Sequence, residues 1–224
     1  MHPFCSCFLK SSFLRKIIYP VKHANAVRPI LECIIVYIVR LYGRGGQGTV
    51  TATRLLAKAA LFDGKYASSI ARFGAERRGA PVAVYLRISE EPILVKSFPG
   101  SWDCIVVTDP KLERMVDVTE RFKPHGVAVL NTGKAPADVL LKVPGSRLGV
   151  VDATAIALSV FGPRAIPITS TAMIASFART TGLVSLESLV KSVEDEWEGR
   201  ISRLNVDAME RAYEETVIVD EEEG

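Results

Sequence analysis

The sequence predicts an α/β fold: a mostly parallel, Rossmann-like sheet covered by helices on both faces, with additional helices at the C-terminal end. Three observations carry this. Short β-branched apolar runs alternate with Ala- and Leu-rich stretches of helical length, a glycine-rich turn joins the first run to the first helix, and two amphipathic periodicities close the chain. Alternating strands and helices imply parallel strands joined by crossovers, with both faces of the sheet buried.

The elements follow in order. Residues 34–42, Ile-Ile-Val-Tyr-Ile-Val-Arg-Leu-Tyr, read as a buried first strand that ends in the tight turn Gly43-Arg-Gly-Gly-Gln-Gly48. Residues 49–62 are rich in Ala and Leu, with Arg54 and Lys58 on one polar face, and predict a helix buried over most of its circumference. Asp63-Gly64 stops it. Residues 66–70 and 81–88 are short strands, and the charged, glycine-flanked segment 72–79 between them is a loop by composition. Residues 104–108 give a strand followed by Asp109-Pro110, a turn or helix start. Residues 126–130 give another strand, ending at Asn131-Thr-Gly133, and residues 147–151 one more. Asp152 or Thr154 can cap a helix running to Phe161.

The C-terminal third changes character. Residues 169–181 form an Ala-rich helix closed by Gly182, where a left-handed backbone is needed. Leu186, Leu189, Val190, Val193 and Trp197 then follow helical spacing behind Ser185 as N-cap. Val206, Met209, Tyr213 and Val217 repeat the pattern. Residues 219–224 read as a solvated acidic tail.

Composition bounds the function. Of the 224 residues, 48% are hydrophobic and 24% charged, too apolar for a disordered chain, and four Cys are too sparse for a disulfide scaffold. The longest strongly apolar run, 34–39, falls well short of the roughly 20 residues a membrane span needs. Net charge is +3, but residues 1–30 hold Lys10, Arg15, Lys16, Lys22 and Arg28 with no acid, so the remainder is slightly acidic. A nucleic-acid partner is therefore not expected.

Residues 1–32 are a basic N-terminal extension without helical or strand periodicity, separate from a domain over 33–218. It reads as a disordered extension or as one of three things: a mitochondrial-type basic leader, a genuine accessory arm, or the product of a start codon placed upstream of the true one. Cys5, Cys7, Cys33 and Cys104 have no C-x-x-C spacing for a metal or cluster. The body reads as cytoplasmic.

Two features carry chemistry. Gly43, Gly45 and Gly48 satisfy G-x-G-x-x-G between a strand and a helix, so main-chain amides there can hold an anion. The acid that a dinucleotide ribose requires is missing: Asp63 sits too early and residues 66–70 carry none. No Gly-Lys-Ser/Thr makes a P-loop. A nicotinamide or flavin dinucleotide, another phosphate-bearing ligand, and a purely structural close turn all remain open. Arg72, Arg77 and Arg78, with Arg44 in the glycine loop, form the second feature, suited to bidentate phosphate or carboxylate contacts or to ion pairs across a subunit contact. His23 and His125 lie outside any such cluster, and Ser101, Ser159 and Ser170 lack a nucleophile-elbow context. No self-contained active site is evident.

Several segments in order carry a resemblance. Gly43-Arg-Gly-Gly-Gln-Gly-Thr-Val-Thr-Ala52, Phe73-Gly-Ala-Glu-Arg-Arg-Gly-Ala-Pro-Val82, Arg87-Ile-Ser before Pro92-Ile93, and Thr180-Thr-Gly-Leu-Val-Ser-Leu-Glu187 together resemble the gamma subunit of 2-oxoacid:ferredoxin oxidoreductases over about residues 36–216. The Glu76-Arg77-Arg78-Gly79 wording looks like pyruvate and branched-chain 2-oxoacid enzymes more than 2-oxoglutarate ones. Ser170 departs from relatives, which commonly have Asn there. The resemblance implies a subunit of a complex that uses thiamine diphosphate, Mg2+, iron–sulfur clusters and coenzyme A, with alpha, beta and delta-type partner subunits and ferredoxin as acceptor. It implies that the thiamine site and clusters belong to the partners, and that no catalytic residue or metal ligand lies in this chain. Gly43, Arg44, Gly45, Gly46, Gln47, Gly48, Arg77 and Arg78 are the expected cofactor-binding positions, for coenzyme A phosphate or for an interface. A free-standing Rossmann-type nucleotide module and the small subunit of an arylpyruvate:ferredoxin oxidoreductase are the alternatives.

Overall fold

The computed structural model describes residues 36–72, 79–94, 97–139 and 146–220. The N-terminal extension, with Cys5, Cys7, His23 and Cys33, lies outside them. The described elements run β1 (Val36–Arg44), α1 (Thr49–Phe62), β2 (Tyr66–Arg72), β3 (Pro81–Ser89), β4 (Trp102–Val107), β5 (Phe122–Asn131), β6 (Arg147–Val151), α2 (Ala153–Phe161), α3 (Ser170–Thr181), α4 (Leu186–Glu196), α5 (Gly199–Glu215) and β7 (Val217–Asp220). Short 3-10 turns, each opened by a proline, follow β4 at Pro110–Arg114 and β5 at Pro136–Asp138.

The seven strands form one sheet in the order β2-β3-β1-β4-β5-β6-β7. β1, β4, β5 and β6 are parallel neighbours and form the core of the sheet. Antiparallel strands flank it: β3 beside β1, β2 beside β3, and β7 beside β6.

The parallel core and the C-terminal helices match the sequence reading, and among the described residues the helices that pack directly on the sheet, α1 and α3, lie on one face. A Cβ on Gly43 would meet Thr49 of α1 and a Cβ on Gly149 would meet Thr180 of α3, and the strand register puts both glycines on the same side. There α1 packs on β1, β2 and β3, and α3 on β5 and β6. α4 and α5 form a second layer, and α2 packs against α3 and α5. Arg54 and Lys58, the polar stripe of α1, pair with Glu196 and Asp195 of α4.

The other face carries a separate core in which Tyr42, Tyr85, Trp102, Ile105 and Leu130 are covered by Leu112, Val118 and Val139. These covering side chains come from the 3-10 turns and loops after β4 and β5. The reason is local: Asp109-Pro110 and Gly133 to Pro136 interrupt those connections, and each proline starts a short turn rather than a long crossover helix.

Caps and boundaries follow the side-chain chemistry. Asp152 caps α2 by accepting from Ala155 N at 2.8 Å, while Thr154 is taken up by Asn131. Ser185 caps α4 as expected, accepting from Ser188 N at 3.1 Å. Trp197, placed in that helix by its spacing, is instead the extended residue that ends it. α5 ends at Glu215, and Val217, which continued its period, begins β7. Asp220, expected in a solvated tail, is the last residue of that strand and binds Arg147 at 2.8 Å. No described helix is long and apolar enough to cross a membrane.

Candidate functional site

The glycine loop is the turn between β1 and α1, at the C-terminal end of the parallel strands. Two of its glycines are sterically required. A Cβ on Gly43 would fall 1.8 Å from Thr49 Oγ1, so only a bare Cα lets the first turn of α1 sit on the strand end. Gly48, the N-cap of α1, has φ +80°, and a Cβ there would also come within 2.9 Å of Ser170 Oγ. The starts of α1 and α3 are thereby held against one another.

The first turn of α1 carries no acidic residue and its N-cap makes no side-chain capping hydrogen bond; the same is true of α3. Thr169, the N-cap of α3, spends its hydroxyl on Thr108 O at 3.0 Å. Thr49 Oγ1 is buried without a hydrogen-bond partner. Such a helix start, electropositive and uncapped, is suited to a phosphate or other anion.

The side chains of the loop are turned onto the protein itself. Gln47 is buried, and its Oε1 accepts from Arg44 N at 2.8 Å and from Thr108 Oγ1 at 3.3 Å. Its Nε2 donates to Asp109 Oδ2 at 2.8 Å. Arg44 donates from Nη1 to the same Asp109 oxygen at 3.3 Å and from Nε to Gly79 O at 2.9 Å. Main-chain bonds reinforce the junction, Gly45 N to Ala80 O at 2.9 Å and Gly79 N to Gly45 O at 3.0 Å. Gly79 is where the arginine-rich segment rejoins the sheet.

The structure thus brings Gly43, Arg44, Gly45, Gly46, Gln47 and Gly48 into one loop, with Gly46 also at positive φ, +95°. Arg77 and Arg78 lie outside the described residues, as does the side chain of Arg72. Asp109, Thr108 and Ser170 belong to the site and were not read from the sequence as such. For Thr108 and Asp109 the only sequence signal is position at the end of a strand, which becomes informative once β4 is known to lie beside β1, whereas Ser170 is marked only by its departure from the Asn of relatives.

The remaining candidates are structural. Ser159 Oγ accepts from Arg211. Cys104 is the only cysteine among the described residues and is fully buried; burial pushes its thiol up, away from the reactive form. No group of three or more His, Cys, Asp or Glu among the described residues could hold a metal ion. These residues do not fit an iron–sulfur cluster. β2 carries no acid, and β3 rather than β2 lies beside β1, so the ribose contact of a dinucleotide site has no counterpart among the described residues.

Comparison with known proteins adds an independent line. The family model for pyruvate ferredoxin/flavodoxin oxidoreductase matches residues 38–215. Over 182 residues the chain is 44% identical to the pyruvate/ketoisovalerate oxidoreductases common subunit gamma of Pyrococcus furiosus, covering 80% of this chain and 97% of that one. It is also 44% identical over 183 residues to the NADH-dependent phenylglyoxylate dehydrogenase subunit gamma of Aromatoleum evansii, covering 81% and 95%. The crystal structure of pyruvate oxidoreductase subunit PORC from Thermotoga maritima superposes with a TM-score of 0.69 at 33% identity, covering 83% of this chain and 99% of that one.

Proposed function

The chain belongs to the pyruvate ferredoxin/flavodoxin oxidoreductase family, and on that premise we propose that it is the gamma subunit of a complex that oxidatively decarboxylates pyruvate or a branched-chain 2-oxoacid. The complex would use coenzyme A and ferredoxin, releasing acyl-coenzyme A, CO2 and reduced ferredoxin. The observation that carries the reading is a family match spanning almost the whole described body, and a glycine loop whose helix start has no side-chain cap and no acid in its first turn supports it. Alpha, beta and delta-type subunits are the partners, and they hold the thiamine diphosphate, Mg2+ and clusters. The chain is not active alone, and it works in the cytoplasm.

Within the complex, the loop from Gly43 to Gly48 and the amides opening α1 would hold a phosphate of coenzyme A, with Arg77 and Arg78 supplying charge. Thr49, with an unused buried hydroxyl, and Ser170 flank that position. The chemistry this chain supplies is binding and orientation of an anionic carrier.

A second reading concerns the substrate. Identity is 44% both to a subunit serving pyruvate and ketoisovalerate enzymes and to one serving a phenylglyoxylate enzyme. Equal similarity across such different side chains favours a gamma subunit that leaves substrate selection to its partners.

The test is affinity purification of the tagged chain from its native host. The preparation is assayed for iron, for thiamine diphosphate and for coenzyme A-dependent viologen reduction with pyruvate, 2-oxoisovalerate, 2-oxoglutarate and phenylglyoxylate. Larger subunits with activity are expected, and the preferred acid names the substrate. A colourless, inactive single chain after gentle lysis would refute the subunit reading and return the glycine loop to the role of an independent nucleotide module.

A further inference from the structure

Asp109 places a buried carboxylate beneath a loop that the coenzyme A reading gives to a phosphate, an arrangement that opposes binding unless the charge is met. Its contacts show how it is met. Oδ1 accepts from Lys111 N at 2.9 Å, opening the 3-10 turn after β4, and Oδ2 accepts from Gln47 Nε2 at 2.8 Å and from Arg44 Nη1 at 3.3 Å. The Arg44 and Asp109 side chains keep only 23% and 11% of their exposure, so water screens the pair poorly.

The same guanidinium also fixes Gly79 through Nε, and a Cβ on Gly79 would lie 3.2 Å from Arg44 Nη2. Two of its donors are therefore committed to the protein. Gln47 is committed as well: a carboxylate can only accept, so Nε2 must face Asp109, which leaves Oε1 for Arg44 N and Thr108 Oγ1.

We propose that Arg44 and Asp109 form a charge-compensated pair that positions the glycine loop, with Arg44 neutralising Asp109 and anchoring Gly79 instead of contacting the phosphate. The proposal rests on the coenzyme A reading and changes the role of Arg44 within it. Arg44 and Asp109 are positioning residues: Asp109 orients Gln47 and Arg44, and those two set the path of the main chain from Arg44 to Gly48.

The pair makes a prediction that neither a phosphate-binding arginine nor a purely structural ion pair makes. Removing Arg44 alone exposes the loop to an unmatched carboxylate, whereas removing both charges does not. In the purified complex, Arg44→Ala is expected to raise the KM for coenzyme A about tenfold, as one uncompensated like charge nearby would. The Arg44→Ala/Asp109→Asn double variant is expected to return to within about threefold of the natural protein, with the KM for the 2-oxoacid unmoved in both. A double variant as impaired as Arg44→Ala would overturn the proposal, because Arg44 would then be touching the ligand.

Arg77→Ala/Arg78→Ala, measured alongside, separates the two levels. If it raises the KM for coenzyme A while Arg44→Ala does not, the pair is refuted and the coenzyme A reading stands. If neither variant changes coenzyme A binding by calorimetry, both fall. Should Arg44→Ala fail to assemble, Arg44→Gln is read in the same way: a raised KM for coenzyme A that Asp109→Asn restores to within about threefold of natural supports the pair, and one that Asp109→Asn leaves unrestored refutes it.

Discussion

Asp63, in the turn that ends α1, and Ser188, in the first turn of α4, lie 125 residues apart and share a hydrogen bond of 2.6 Å. The same carboxylate accepts from Ser185 N and Ser185 Oγ, each at 2.7 Å. Partial burial raises the pKa of Asp63, but the bonds from Ser188 and Ser185 and the charge of Lys65 outweigh it and bring the group below its usual value. A carboxyl whose folded pKa is depressed stabilises the fold fully above its unfolded value, about 3.9, and loses that contribution as pH falls through the folded value. Asp63→Ala should cost about 1–2 kcal/mol near neutrality, as loss of a capping acceptor does. In thermal melts the difference between Asp63→Asn and the natural protein should hold steady from pH 7 to about pH 4 and narrow as pH falls further; a difference in Tm that does not change below that point would show that the charge is not involved.

The contact between Gly43 and Thr49 gives a second expectation. Gly43→Ala puts a methyl on Thr49 Oγ1, so the start of α1 must shift, at a cost of about 1–3 kcal/mol for overpacking. Thr49→Ala removes that oxygen but leaves the Thr49 Cβ position 2.9 Å from the new methyl, and it should recover only part of the loss. Denaturant titrations of the two single variants and the double check this through the sign of the coupling. Full additivity would place the strain elsewhere.

The glycine loop was legible because its chemistry is local: a strand, a turn needing positive φ and a helix follow one another in the chain. Asp109 was not, because its relation to Gln47 depends on β4 lying beside β1, and no pattern within β4 states which strand is its neighbour. The loop-covered second face escaped for the same reason, since the connection from β4 to β5 holds enough residues for a helix and only the packed Leu112 and Val118 reveal that none is used. The start of β5 was hidden by Lys123-Pro124-His125, where charge and a proline mask extended backbone and His125 has φ +58°. Val217 kept the period of α5 by coincidence of spacing, although its side chain is exposed in β7.

β7 depends on its ladder with β6 more than on its end pair. The side chain of Asp220 is 69% exposed, and an ion pair so placed contributes only about 0.2–1 kcal/mol, less at high salt. Asp220→Ala should therefore lower stability by that amount in low salt and by almost nothing in 1 M NaCl. A loss that persists in high salt would mean that Asp220 holds the strand by something other than charge.

Arg40 poses the sharpest question about stability. Its guanidinium lies over three rings on the loop-covered face, 4.5 Å from the centre of Tyr42, 4.8 Å from Trp102 and 5.4 Å from Tyr85. Nε and Nη1 are buried without a hydrogen-bond acceptor, and the nearest carboxylate oxygen, on the exposed Glu120, stands off at 3.7 Å. The ring faces attract the cation by about 0.5–2 kcal/mol each at most, against a desolvation cost of several kcal/mol for a buried charge. The stem, by contrast, packs like any apolar chain. Arg40→Met keeps the stem and removes the charge, so it should be within about 1 kcal/mol of the natural protein or more stable, whereas Arg40→Ala opens a cavity and should lose about 2 kcal/mol or more. Urea titration of both variants decides between the terms: if Met falls as far as Ala, the cation over the rings outweighs its desolvation and the charge itself holds this face together.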